Sequence, residues 1–182
     1  MSCIKYANEI SGISVYRKRS AMLISLDDFR IKAENFDPTK MENIIRIACG
    51  VFYLPHVVGK FAAFGVLNPP IVNFFAAAGM SPPETWVYIA AASELAVALA
   101  LTLGICTRFA ALGSAALMAV AIYSLHVVKG FGWTWNTGGY EYPVFWGICS
   151  VALALHTWKA WLAERREALR DSYHSVQIAP AK

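Results

Sequence analysis

The stretch WVYIAAASELAVALALTLGICTRFAALGSAALMAVAIYSLHVV, residues 86–128, decides the fold class. It holds two apolar runs, Trp86–Ile105 and Phe109–Val128, separated only by Cys106, Thr107 and Arg108. A hydrocarbon core about 30 Å thick takes about 20 apolar residues as helix, and each run has that length. The first carries one charge, Glu94, and the second none beyond what His126 can hold. So short a connection predicts an antiparallel hairpin of two membrane-spanning helices. Adjacent apolar runs of this length count against the core of a soluble helical protein.

The surroundings agree. Of 182 residues, 57% are hydrophobic and 15% charged, against about 25% charged in a soluble domain. Disorder is excluded by the same figures, and a soluble enzyme would lack charges to cover its surface. The net charge of +4 is not gathered into a basic stripe with interleaved aromatics, so no nucleic-acid partner is expected. Residues 1–40 hold seven Lys/Arg and five Asp/Glu, and residues 159–182 hold five and three. Between them stand only Glu42, Arg46, Lys60, Glu84, Glu94, Arg108, Lys129 and Glu141.

Two further spans are expected: Ile44 to Leu67, kinked at Pro55, and Tyr142 to Trp158. The fold class is therefore an all-α integral membrane four-helix bundle. Segment 67–85, with two Pro-Pro pairs, and segment 128–143, VKGFGWTWNTGGYEYP, read as loops. Trp133, Trp135, Tyr140, Tyr142 and Trp146 suit the headgroup level. Lys and Arg concentrate in the N-terminal arm, at Arg108 and in the C-terminal tail, which places both termini in the cytoplasm and the two long loops outside. The domains expected are a cytoplasmic arm, 1–40; a four-helix domain, 41–163; and a cytoplasmic tail, 164–182. The basic RKRSAMLISLDDFR (17–30) has too short an apolar run for a signal peptide. The arm is either a cytoplasmic extension or a matter of start-site choice before Met41.

Charges within hydrocarbon are costly and mark interior or functional positions. Arg46, Cys49, Tyr53, His56 and Lys60 follow at spacings of 3, 4, 3 and 4, one helical stripe. It is either a satisfied polar seam or the lining of a pocket. Glu94 lies at a depth where Lys60 or His56 can neutralise it. With His126, at the end of the third span, and Glu141, opening the fourth, these residues form one candidate outer pocket. Arg46 and Arg108 sit at the cytoplasmic boundary, where contact with an anionic headgroup is the modest expectation. No ligand spacing such as HExxH occurs, so no metal site is expected. The four cysteines, Cys3, Cys49, Cys106 and Cys149, include no CxxC pair, which argues against disulfide-exchange chemistry.

These residues resemble the DoxX family of small four-helix membrane proteins. The resemblance covers residues 41–163. It rests on Arg46, Gly50 and Gly59-Lys60, on Glu94, on the G-x-x-T-R turn from Gly104 to Arg108, and on GFGWTWNTGGYEYPVFW (130–146). It implies a subunit of a redox system in the bacterial inner (cytoplasmic) membrane; the family's namesake belongs to a thiosulfate:quinone oxidoreductase. A candidate pocket of His56, Lys60, Glu94, His126, Glu141 and Tyr142 follows, with Trp133, Trp135, Gly138, Gly139, Tyr140 and Pro143 as its interfacial loop. Quinone is then the ligand, without an intrinsic redox centre. Partners would be membrane lipid and either other redox subunits or further copies of the chain. The alternative is a non-catalytic accessory or anchoring subunit.

Overall fold

A computed structural model describes residues 23–177. The helices are α1 (Met41–Val51), α2 (Tyr53–Gly59), α3 (Pro69–Ala77), α4 (Pro83–Leu103), α5 (Thr107–Lys129) and α6 (Glu141–Gln177). One antiparallel hairpin, β1 (Phe61–Ala63) with β2 (Val66–Leu67), lies between α2 and α3. Short 3-10 turns stand at Leu26–Phe29, Ala33–Phe36 and Trp135–Thr137. Helix α1 packs on α4 and α6, α2 on α4, α4 on α5, and α5 along α6.

Among the described residues α4 and α5 are the two helices long and apolar enough to cross a membrane. They span 21 and 23 residues, about 30–35 Å at ~1.5 Å per residue. The turn between them is as tight as its sequence implies. Gly104 closes α4 in the left-handed region at φ 75°, and the Ile105 N–H reaches back to the Ala100 carbonyl at 2.8 Å, a glycine-dependent helix stop. Asn35 packs so close to Gly104 that a Cβ there would overlap it.

Three expectations are corrected. The first span does not continue to Leu67. Helix α1 ends at Val51, whose carbonyl would have needed the N–H that Pro55 lacks, and α2 ends at Gly59. Residues 60–67 turn back as the β-hairpin, held by Asn68, whose N–H donates to the Lys60 carbonyl at 2.9 Å and whose side chain donates to that of Gly59 at 3.0 Å. The described residues are thus mostly helical, with this one short hairpin among the helices. The 67–85 segment is not wholly loop, because Pro69 and Pro70 open α3, where a missing N–H is harmless. Finally, α6 does not stop at Trp158 but runs 37 residues to Gln177, so most of the expected tail continues the helix. Cys3, Lys5, Arg17, Lys18, Arg19 and Lys182 lie outside the described residues.

The core is small-residue and aromatic: Tyr53, Val87, Ala98, Leu101, Ala111, Met118, Trp146, Leu153 and Ala154 are buried. Gly50 allows α1 to approach α4, since a Cβ there would stand 2.6 Å from Thr102 Oγ1 and 2.9 Å from the Ala98 carbonyl.

Candidate functional site

The polar stripe of α1 and α2 faces inward over most of its length. Arg46, Cys49, Tyr53 and Lys60 are buried, while His56 is exposed. Lys60 donates to Glu94 Oε2 at 2.5 Å and to the His56 carbonyl at 3.3 Å. The Lys60 and Glu94 side chains are 9% and 16% exposed, so this is a nearly enclosed ion pair. Below it runs a hydroxyl chain that sequence reading missed. Tyr53 Oη lies 2.9 Å from Ser114 Oγ, which lies 2.8 Å from Ser150 Oγ, and Ser150 donates to the Trp146 carbonyl at 2.9 Å. Single serines in apolar helices carry no pattern until α5 and α6 are brought face to face.

Arg46 and Arg108 serve the protein itself. The Arg46 guanidinium donates to the carbonyls of Leu101 and Asn35, and to that of Thr102 at 3.1 Å. Asn35 adds a bond to the Leu103 carbonyl at 3.2 Å. Together they satisfy the Thr102 and Leu103 carbonyls at the end of α4 and share that of Leu101 with the Gly104 N–H. Arg108 donates to Asp28 Oδ2 at 3.1 Å and to the Leu23 carbonyl at 2.9 Å. It lies against the rings of Phe109, Trp158 and Trp161, 4.8–5.6 Å from their centroids. Both side chains are buried against these partners. At the same turn, burial and then the Asp28 charge push the Cys106 thiol above its ordinary range.

At the opposite end, loop 130–140 folds on itself. The Tyr140 N–H bonds the Gly132 carbonyl and the Glu141 N–H that of Trp133, both at 3.0 Å. Gly138 is left-handed at φ 78°. A Cβ on Gly139 would stand 2.5 Å from the Trp133 carbonyl carbon, so GGYE is a string only glycines can start. Pro143 sits in the first turn of α6, where helices accept it. The Tyr140 ring meets Phe131 and Trp133 edge-on at 5.8 and 6.4 Å.

This fold shapes a groove of about 570 Å³ lined by Trp133, Trp135, Glu141, Tyr142, Val144, Phe145 and Ile148. Glu141 is its one carboxylate; its Oε2 accepts the Trp135 N–H at 3.3 Å. A second, apolar furrow of about 410 Å³ between α5 and α6 adjoins it, sharing Val144 and Ile148 and walled by Ala115, Ala119, Gly147 and Ala152. Trp146 separates groove from interior: its ring lies 5.7 Å from Tyr142, 4.4 Å from Tyr53 and 5.8 Å from His56.

The single outer pocket expected from sequence is thus divided. Lys60, Glu94 and the His56 backbone form the interior pair, and Glu141 and Tyr142 with Trp133 and Trp135 form the groove. His126 is exposed on α5 and its side chain joins neither set among the described residues. No group of three metal-ligating side chains gathers among the described residues.

The DoxX family model matches residues 42–127. The chain carries a DoxX domain. The match takes in Arg46, Gly50, Lys60, Glu94 and the turn to Arg108, a little under half of the chain. It stops short of the GGYEYP loop and of α6, so the groove lies beyond the matched residues. No curated protein and no solved structure matches. The match and the two membrane-length helices α4 and α5 agree with a membrane protein similar to the DoxX family.

Proposed function

We propose that the protein is the membrane subunit of a redox system and holds a quinone in the aromatic groove, with Glu141 as the proton-exchanging group. In this reading the chain crosses a bacterial inner membrane four times, by α1–α2, α4, α5 and the first half of α6. Both termini and the 106–108 turn, with Arg108, are then cytoplasmic by their Lys and Arg excess, and the groove faces outward.

The observation that carries the reading is one carboxylate set in an otherwise apolar, aromatic groove that opens into a furrow. A quinone ring needs flat apolar walls, which the Trp133, Trp135 and Phe145 rings offer. Its reduction takes up two electrons and two protons. The electrons come from a partner subunit, and a carboxyl beside the quinone oxygen passes the protons.

The test is titration of the purified protein in lipid nanodiscs with a quinone, read by tryptophan quenching, alongside turnover with its native electron donor. Glu141→Gln should keep most of the affinity and lose turnover; Trp135→Ala should lose affinity. Wild-type behaviour in both variants would sink the proposal.

A second reading, a non-catalytic accessory or anchoring subunit, draws on the interior. Lys60, Glu94, Tyr53, Ser114 and Ser150 all find partners within the protein, as a structural seam does. A native complex that keeps full turnover once this subunit is removed would favour it.

A further inference from the structure

We propose that residues 23–40 form a strap lying in the headgroup layer at the turn end of α4 and α5, with Leu26, Phe29, Ile31 and Phe36 dipped into the lipid. The segment lies outside the matched DoxX domain and has no part in the groove.

The strap is partly inverted. Asp28 and Asn35 are turned onto the protein, while Asp27, Arg30, Lys32, Glu34 and Lys40 stay exposed beside its apolar side chains. The Asp28 carboxylate takes the Arg108 guanidinium, and the Asp28 carbonyl accepts the Cys106 N–H at 2.7 Å. Asn35 caps α4, and Asn43 donates back to the Glu34 and Asp37 carbonyls at 2.8 and 3.1 Å. Its large apolar side chains point away: Leu26 is 81% exposed, Phe29 57%, Ile31 56% and Phe36 45%. In water the opposite arrangement is favoured, because each such side chain gains about 1.5–3 kcal/mol from burial.

Depth identifies the occupant. Asp28 and Asn35 bond residues 103–106, where the apolar length of α4 ends and that of α5 begins. The strap therefore sits within a turn of the hydrocarbon boundary, the level at which amphipathic segments lie flat. Beyond the polar residues Asp37, Thr39 and Lys40, Met41 and Ile44 at the start of α1 are exposed as well. The charges other than Asp28 balance: Asp27, Glu34 and the half-buried Asp37 against Arg30, Lys32 and Lys40. The contact is accordingly apolar, and acidic headgroups are not required.

Photocrosslinking tests this on the full chain. p-Benzoylphenylalanine is placed at Phe29 or Ile31 in nanodiscs of phosphatidylcholine alone or mixed with phosphatidylglycerol, and adducts are read by mass spectrometry. The same probe at Leu99, exposed on α4, serves as the lipid-facing reference, and at Asp27 as the polar one. Positions 29 and 31 should give phospholipid adducts near the yield at 99 and several-fold above that at 27, equally in both lipids. Crosslinks to a second copy or to another protein would overturn the proposal. So would adducts at 99 with none at 29 and 31, or adducts that need phosphatidylglycerol.

Discussion

Breaking the Lys60–Glu94 pair from either side should cost stability unequally, and the structure says in which order. The pair is almost enclosed, at 9% and 16% side-chain exposure. Removing one partner of a buried pair costs about 3–5 kcal/mol; residual water access here brings the figure to about 2–4 kcal/mol. After Glu94→Gln, Lys60 still donates to the His56 carbonyl, and the new amide oxygen can accept. After Lys60→Met, Glu94 has no other hydrogen-bond donor among the described residues. Lys60→Met should therefore be the more damaging single change. The double variant Lys60→Met/Glu94→Leu removes both charges and should recover most of the loss, since apolar replacement of a buried pair is close to neutral. Unfolding in mixed micelles by SDS titration, run as a double-mutant cycle, measures all three. A double variant as unstable as Lys60→Met, or a Glu94→Gln loss equal to it, would refute this account of the seam.

Other perturbations follow from single contacts. Gly50→Ala forces a Cβ into Thr102 and the Ala98 carbonyl and should cost about 1–3 kcal/mol by overpacking, seen in the same titration; no loss would mean α1 and α4 can separate freely. Arg46→Lys keeps the charge but cannot reach the Asn35, Leu101 and Thr102 carbonyls together; faster amide exchange should appear at residues 103–106 while the 130–140 loop is unchanged. Gly139→Ala should disorder the groove and weaken quinone quenching with little effect on global unfolding. Asp37 accepts two bonds from Thr39, at 2.7 and 2.9 Å, which hold its carboxyl below the ordinary value. A depressed folded-state value gives stability that is present above the unfolded value and lost as pH falls through the folded one. Carboxyl NMR should show an acid-shifted Asp37 midpoint that returns toward the ordinary range in Thr39→Ala.

How far the sequence could be read depended on whether a signal was local. The α4–α5 hairpin is legible because length, apolarity and the Gly104 turn all lie in one stretch. The Lys60–Glu94 pairing was one of two options, and a stripe with a 3-4-3-4 spacing could not decide between Lys60 and His56. The structure decides for Lys60, which is buried against Glu94, while His56 is exposed and reaches Lys60 through its backbone carbonyl. The hairpin at 61–67 escaped because six of its seven residues, all but Gly65, suit a span as well as a strand. The strap escaped for the opposite reason. Its docking runs through Asp28, Asn35 and backbone carbonyls far away in sequence, and no periodicity encodes that.

Counting hydrogen-bond capacity then separates the two polar sets that the sequence reading had merged. In the interior most polar groups find partners: Lys60 uses two donors on Glu94 and His56, Tyr53 and Ser150 close on Ser114, and Arg46 spreads over three carbonyls, while the buried Trp146 Nε1 has no hydrogen-bond partner. Such a network gains from the low dielectric around it and has little left to offer a ligand. A carboxylate has about four acceptor sites, and among the described residues Glu141 uses one, at 3.3 Å. Spare capacity in an apolar wall is the condition for recognising a polar atom on an otherwise apolar ligand. Glu94 also accepts a single bond, but from the Lys60 ammonium inside a nearly enclosed ion pair, whereas Glu141 faces the groove with no cation partner among the described residues, so Glu141→Gln should move ligand chemistry while Glu94→Gln moves stability. A variant set in which these two effects changed places would reverse the assignment of site and seam.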